Sequence, residues 1–315
     1  MVKVAVVGTD RQHLEAWSAM NHAEVVAVVP GNKNEEIPEA YSGQLISNAQ
    51  DLQTMDVDVI DVCVPVNERA EWIQQLSKEG LHIICETPLS ELSEESISII
   101  KACEAKKMHL YVGNKRRFSP EYADARNQVS NGNIGKNGVV RISSGSPHPG
   151  GQEDIFSGLG MAEFDWLLWT FGEVERVMAR HVKRERLDGT PVEYALVTLR
   201  FKDQSFAHVE LSWAKEKTET SFEIAGDKGM LTHNSNESDP ISLQLSGTAE
   251  EALLKEAILI KSVLQRQFEH VVALAEVKDK PVIAADDALK PFQVAEAARK
   301  SARTGQPVTL EEVLT

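Results

Sequence analysis

Certain side chains in this 315-residue chain stand out because their types and spacing could do chemistry. The turn Gly8-Thr9-Asp10-Arg11-Gln12-His13 follows the apolar run Lys3-Val4-Ala5-Val6-Val7 and leads into a helix expected over 14–20. A strand, a glycine turn and a helix in that order suit a dinucleotide, because the first helix amides lack partners and can donate to a pyrophosphate. Further along, Ser146-Pro147-His148-Pro149-Gly150-Gly151 presents a histidine on a loop. An imidazole titrates near neutrality, so His148 suits proton transfer or a substrate contact, and Glu163 is a second acid–base candidate. Lys115, Arg116 and Arg117 form a cationic run fit for a phosphate or carboxylate on a ligand.

The turn departs from Gly-x-Gly-x-x-Gly, which would place glycines at 8, 10 and 13; Asp10 and His13 stand at the second and third positions. Two readings stay open. Thr9, Arg11 and Gln12 could turn toward a phosphate, with Arg11 or His13 supplying positive charge. Alternatively, Asp10 is the N-cap of the helix that follows. A second strand over 24–29 ends at Pro30-Gly31-Asn32-Lys33, with no carboxylate to grip the ribose of NAD. Asn32 and Lys33 could meet a 2′-phosphate, which tilts the expectation toward NADP, although Lys33 could equally be a solvated loop residue.

Positioning these residues requires two kinds of architecture. Apolar cores at 59–64, 81–85 and 110–112 alternate with amphipathic segments, the pattern of buried parallel strands joined by crossover helices. Beyond Pro120 the texture changes. A helix carrying Tyr122, Ala125 and Val129 ends at Asn131-Gly132, and alternating strands are expected over 138–143, 194–201, 205–213, 220–225 and 241–245. That is a mostly antiparallel sheet with Ala207, Val209, Leu211 and Trp213 on one face and His208, Glu210 and Ser212 on the other. Trp166, Leu167, Trp169 and Phe171 form an apolar helix face, with Glu163 and Asp165 near the helix start, where carboxylates favour the dipole. Helices over 251–277 and 286–304 follow, the second closed by Gly305 and Pro307.

Hydrophobic residues make up 42% of the chain, enough for two cores, and the formal charge of −15 argues against nucleic acid and anionic membranes as partners. No window approaches 18 uncharged apolar residues, and the amino terminus runs straight into a strand. Cys63, Cys85 and Cys103 lack paired or metal-ligand spacing and read as small core residues in a reducing compartment, so the expected location is the cytoplasm and no metal is expected.

Five stretches together resemble one family: Pro65-Val66-Asn67, Glu86-Thr87-Pro88, Arg117-Phe118-Ser119-Pro120, the run 157–174 and the run 285–308. They are similar to the Gfo/Idh/MocA family of NAD(P)-dependent oxidoreductases. The resemblance implies an α/β protein: a Rossmann-like parallel-sheet domain at 1–118 for the dinucleotide, and an α+β domain at 119–315 with an open, mostly antiparallel sheet for substrate and self-association. The C-terminal helix is expected to return to the first domain. The implied activity is hydride transfer, with NADP or NAD, to or from a sugar, polyol or related small molecule. Implied coenzyme contacts are Gly8, Thr9, Asp10, Arg11, Gln12, His13, Asn32, Lys33, Pro65, Glu86, Thr87 and Pro88, with Glu86 facing the nicotinamide end. Lys115, Arg117 and His148 would meet the substrate, and a homodimer or homotetramer would form through the open sheet face, with His208 and Glu210 at the interface. The family's lysine, aspartate and histidine are replaced by Thr87, Gly158 and Ala162. The chain therefore either uses another acid or base, such as His148 or Glu163, or is a catalytically silent nucleotide- or sugar-binding regulatory protein.

Overall fold

Short runs rich in valine and isoleucine, interrupted by glycine, proline and acidic residues, dictate the strands of this chain. The computed structural model describes residues 1–30, 44–151, 153–237, 242–245, 252–253, 261–277 and 285–313. The first elements are β1 (Val2–Val7), α1 (Arg11–Ser18), β2 (Ala23–Val29), β3 (Gln44–Leu45), α2 (Ala49–Thr54), β4 (Val59–Val62), α3 (Val66–Gln75), β5 (His82–Glu86), α4 (Ser93–Ala105), β6 (His109–Gly113) and α5 (Lys115–Phe118). Next come α6 (Pro120–Ser130), β7 (Asn137–Gly145), α7 (Ile155–Gly158), α8 (Gly160–Phe171), β8 (Val174–Glu185), β9 (Pro191–Phe201), β10 (Phe206–Ser212), β11 (Glu219–Gly226) and β12 (Gly229–Asn234). After β13 (Ser242–Leu245) and β14 (Ala252–Leu253) follow α9 (Val263–Val277), α10 (Lys290–Thr304) and β15 (Val308–Thr309).

Contacts divide the chain into two compact units: Met1–Phe118 with Leu259–Leu289, and Ser119–Ile258 with Lys290–Thr315. In the first, the described strands form a parallel sheet in the order β3-β2-β1-β4-β5-β6. Strand order reverses between β1 and β4, which opens a crevice at their carboxyl ends. Side chains alternate across the sheet. Ala5, Val7, Ile60, Val62 and Ile83 join one core with Ile73 of α3 and Ile99 of α4. Val4, Val6, Val59 and Ile84 join the other with Leu14 and Trp17 of α1 and Leu264, Phe268, Val271 and Val272 of α9. Trp17 and Phe268 stack with ring centroids 4.1 Å apart and planes 8° from parallel.

In the second unit the order is β14-β13-β12-β11-β7-β10-β9-β8-β15. The β7–β10 pair is parallel and the other pairs are antiparallel. The alternation expected along β10 holds as far as Leu211, whereas Ser212, expected on the open face, is fully buried. Ala207, Val209, Leu211 and Trp213 enter a core with Phe164, Trp166 and Leu167 of α8 and Phe292, Val294 and Ala298 of α10, while His208 and Glu210 face away. On that outer face Val182 (42% exposed), Tyr194 (45%) and Leu196 (49%) present apolar surface.

Two expectations need correcting. The helix expected from residue 251 begins at Val263, with Ala252–Leu253 in a strand. Its start is set by a reciprocal cap: the Ser262 amide donates to Gln265 Oε1 (2.7 Å) and the Gln265 amide to Ser262 Oγ (3.1 Å). The helix expected over 286–304 is a 3₁₀ turn, Ala285–Leu289, followed by α10. Pro291 lacks an N–H and is tolerated only in a first turn, so the α-helix starts beside it. The late segment Leu259–Leu289, which clusters with the first unit, carries α9, and α10 clusters with the second. The bulky face of α9 meets Trp17 and the valines of β1, whereas the small residues of α10 seat against the second sheet. Phe268→Ala is expected to cost about 3–5 kcal/mol in urea unfolding followed by tryptophan fluorescence, as for other fully buried phenylalanines; a loss well under 1 kcal/mol would remove the assigned role of the Trp17–Phe268 stack.

Candidate functional site

The crevice is built around one glycine. Gly8 ends β1 with φ +114°, and a Cβ there would lie 2.9 Å from Cys63 Sγ and 3.0 Å from the Cys63 carbonyl. A side chain would thus meet both a strained backbone and the next strand, so the turn stays tight against the residue after β4. Beside it lies a cavity of ≈ 530 Å³ lined by Gly8, Thr9, Asp10, Cys63, Val64, Pro65 and Arg69. Arg69 braces the rim: Nε donates to the Val64 carbonyl (3.1 Å), and Nη1 donates to the carbonyls of Glu86 (2.6 Å) and Pro88. Its anchor, the Thr87–Pro88 peptide, is cis. Arg69 was not among the expected site residues, since its partners are backbone carbonyls that no side-chain motif reveals. Gly8, Thr9 and Pro65, expected at the coenzyme, line this cavity together with Val64.

The residues after Gly8 divide between capping and core. Asp10 Oδ1 accepts from the amides of Gln12 (2.8 Å) and His13 (3.2 Å), so the N-cap reading holds. Arg11 Nε donates to Glu15 Oε1 (2.6 Å) on the exposed side of α1. His13 corrects an expectation: its ring is buried, with Nδ1 2.8 Å from Asp61 Oδ2, and Trp17 Nε1 donates to that same oxygen at 2.7 Å. A carboxylate inside a sheet demands partners, and this one draws the imidazole inward rather than toward a phosphate. Burial opposes the charged imidazole, but the charge and hydrogen bond of Asp61, with Glu86 and Asp10 behind them, raise the His13 pKa above its ordinary 6.5. Gln12 and Lys115 line another cavity of ≈ 350 Å³ with Ser262 and Leu264, and Arg117 is buried. Asn32 and Lys33 lie outside the described residues.

Gln267 Nε2 of α9 donates to Glu86 Oε1, and a Cβ on Gly113 would collide with both groups. The glycine thereby leaves room for a carboxylate–amide pair that ties the end of β5 to α9.

In the second unit the space at one replaced position, Gly158, is filled. A Cβ on Gly158 would lie 2.6 Å from Trp213 Cζ2, so the indole occupies the space an aspartate would need. Glu163, expected as an acid or base, is fully buried in the first turn of α8, and Asp165 is buried beside it. His148 is likewise withdrawn from solvent, its side chain 6% exposed and its ring 5.1 Å from Trp213. Nδ1 accepts the Gly150 amide (3.0 Å), which puts the proton of the neutral ring on Nε2, 3.5 Å from Glu193 Oε1. Glu193 also receives His181 Nε2 and Lys183 Nζ, each at 2.8 Å. Burial raises its pKa, but the hydrogen bonds from Lys183 and His181 outweigh burial and leave the carboxyl below its ordinary value. His181, Lys183 and Glu193 were not anticipated. The signal was the Asp188-Gly189 turn, which sets Lys183 directly across from Glu193. Among the described residues no group of three or more His, Cys, Asp or Glu is placed to hold a metal ion.

Residues 2–114 match the family described as "Oxidoreductase family, NAD-binding Rossmann fold", and residues 122–232 match the Gfo/Idh/MocA C-terminal domain. The chain is similar to the uncharacterized oxidoreductase YrbE of Bacillus subtilis, at 24% identity over 98% of this chain and 97% of that protein. It is also similar to the myo-inositol 2-dehydrogenase of Thermotoga maritima, at 26% identity over 84% and 83%. Among solved structures, an oxidoreductase from Agrobacterium radiobacter in complex with NAD+, L-tartaric acid and magnesium shares the fold with a TM-score of 0.83, at 18% identity over 98% of each chain.

The buried pair gives a pH dependence. Because the folded pKa of His13 is raised, its pairing stabilises the fold fully below 6.5 and that contribution is lost as pH rises through the folded value. Urea midpoints should fall over that window, and Asp61→Asn should flatten the fall; equal slopes would rule out the pair as its source. Gly158→Asp should destabilise by about 1–3 kcal/mol through its clash with Trp213. In a double-mutant cycle the cost should shrink in a Trp213→Ala background, and strict additivity would exclude the clash.

Proposed function

Because the chain belongs to the Gfo/Idh/MocA oxidoreductase family, we propose that it is an NADP- or NAD-dependent oxidoreductase acting on a hydroxyl or carbonyl group of a sugar, polyol or related small molecule. The carrying observation is the cavity at the β1/β4 crevice, built on a glycine that no side chain can replace. The inositol dehydrogenase among its relatives supports the polyol class. In this reading the first unit binds the dinucleotide, with Gly8 and Thr9 near its phosphates, Pro65 and Pro88 shaping the cleft, and Asn32 and Lys33 favouring NADP. The bound coenzyme supplies or accepts the hydride.

The accompanying proton falls to His148, in the second unit. Nε2 already carries the ring's proton beside Glu193 and the Gly150 amide occupies the Nδ1 lone pair, so His148 takes up a proton at Nδ1 only when that amide is released, and the anionic Glu193 then stabilises the imidazolium. Lys183 and His181 keep Glu193 charged and oriented. The apolar outer sheet face at Val182, Tyr194 and Leu196, rimmed by His208 and Glu210, supports self-association of copies of this chain. The unpaired cysteines suit the cytoplasm.

A second reading is a silent relative that binds a nucleotide or sugar in a regulatory role. Trp213 filling the space at Gly158, with Thr87 and Ala162 offering no base, favours it. Titration with NADPH and NADH, followed by nicotinamide fluorescence, separates the two together with assays on a panel of polyols and sugars. Micromolar affinity with turnover is the expected result; no binding up to roughly millimolar, worth only about 4 kcal/mol, would remove the oxidoreductase reading. His148→Ala should lower turnover by about 10²–10⁴-fold while leaving coenzyme affinity unchanged, and undiminished turnover would exclude His148 as the proton carrier.

A further inference from the structure

We infer that Asp10 stands in for a coenzyme phosphate, so that a pyrophosphate gains the amino terminus of α1 only by displacing a carboxylate of the chain itself. The inference takes its location from the coenzyme cleft of the proposed function and is independent of the reaction. Helix amides at Gln12 and His13 are the groups that would ordinarily be free to meet a phosphate. Here a single oxygen, Asp10 Oδ1, accepts from both. Asp10 also lines the cavity that a pyrophosphate would occupy, which places like charges side by side.

Neighbouring cations are directed elsewhere. Arg11 pairs with Glu15 on the outer side of α1, His13 pairs with Asp61 in the core, and Arg69 donates to the carbonyls of Val64, Glu86 and Pro88. Asp10 and His13 thus work as a unit. One caps the helix from outside and the other anchors it from inside, so both ends of the turn are held by the chain's own side chains. The two fingerprint positions at which this chain lacks glycine are the two that do this.

Calorimetric titration of the full chain with ADP, which carries a pyrophosphate and adenosine but no nicotinamide, tests this directly on wild type, Asp10→Asn and Asp10→Gly. Asparagine keeps a capping oxygen without the charge, and glycine removes both while remaining an acceptable N-cap. Both variants should bind ADP at least about tenfold tighter than wild type, a change equivalent to one decade in Kd. The gain of Asp10→Asn should shrink at high salt, as expected of charge repulsion in a solvated cleft. Equal affinities in the three proteins, or no binding of ADP by any of them, would overturn the inference. Thermal unfolding of each variant verifies that it is folded. Titration of the same proteins with NADH separates the two readings: tighter ADP binding without NADH binding removes the oxidoreductase reading alone, while NADH binding that is equal in all three removes the role of Asp10 alone.

Discussion

A carboxylate buried inside a parallel sheet organises the first unit. Asp61 lies on β4, fully buried between β1 and β5, where an unpaired charge would be costly. Its Oδ2 is satisfied by His13 and Trp17, both from α1 and four residues apart, so they project from the same face of that helix. The pairing sets how α1 lies on the sheet. It also accounts for a bulky residue where close packing would otherwise call for glycine: the imidazole fills the gap between helix and strand with a charge-assisted contact. Trp17 extends the arrangement by stacking on Phe268, and α9 in turn delivers Gln267 to Glu86.

Glu193 organises the equivalent region of the second unit by different means. It lies on a strand with its carboxylate shared among His148, His181 and Lys183, two of them from the adjacent strand and one from the loop after β7. The loop contains two prolines and two glycines, and Gly150 and Gly151 adopt positive φ. Such a segment has few internal hydrogen bonds of its own, so the His148 contacts with Glu193 and Trp213 fix its course. Trp213 links this group to Gly158, and one indole therefore accounts both for the absent aspartate and for the burial of the histidine.

Local chemistry was legible in the sequence and remote partnership was not. The valine-rich strands, the alternation of β10 and the capping chemistry of Asp10 each depend on neighbours within a few residues, and periodicity or side-chain type reveals them. The inward turn of His13 is not legible locally because its partner is 48 residues away and an isolated histidine does not announce its orientation. The burial of Glu163 is equally silent, because a carboxylate in a first helical turn usually faces water. The helix start at Val263 illustrates the opposite case: the Ser262–Gln265 cap was present in the sequence, but the preceding amphipathic run masked it.

The placement of α9 has a consequence for how the chain is made. Leu259–Leu289 belongs to the same compact unit as Met1–Phe118, so the second unit is largely an insertion between two parts of the first. During synthesis the sheet face bearing Val4 and Val6, with Trp17 of α1 upon it, must wait for Phe268 and Val272 to emerge from the ribosome. Vectorial synthesis thus favours completion of the inserted sheet's central strands before the amino-terminal unit can close, and the waiting apolar face is a natural point for chaperone contact or premature aggregation.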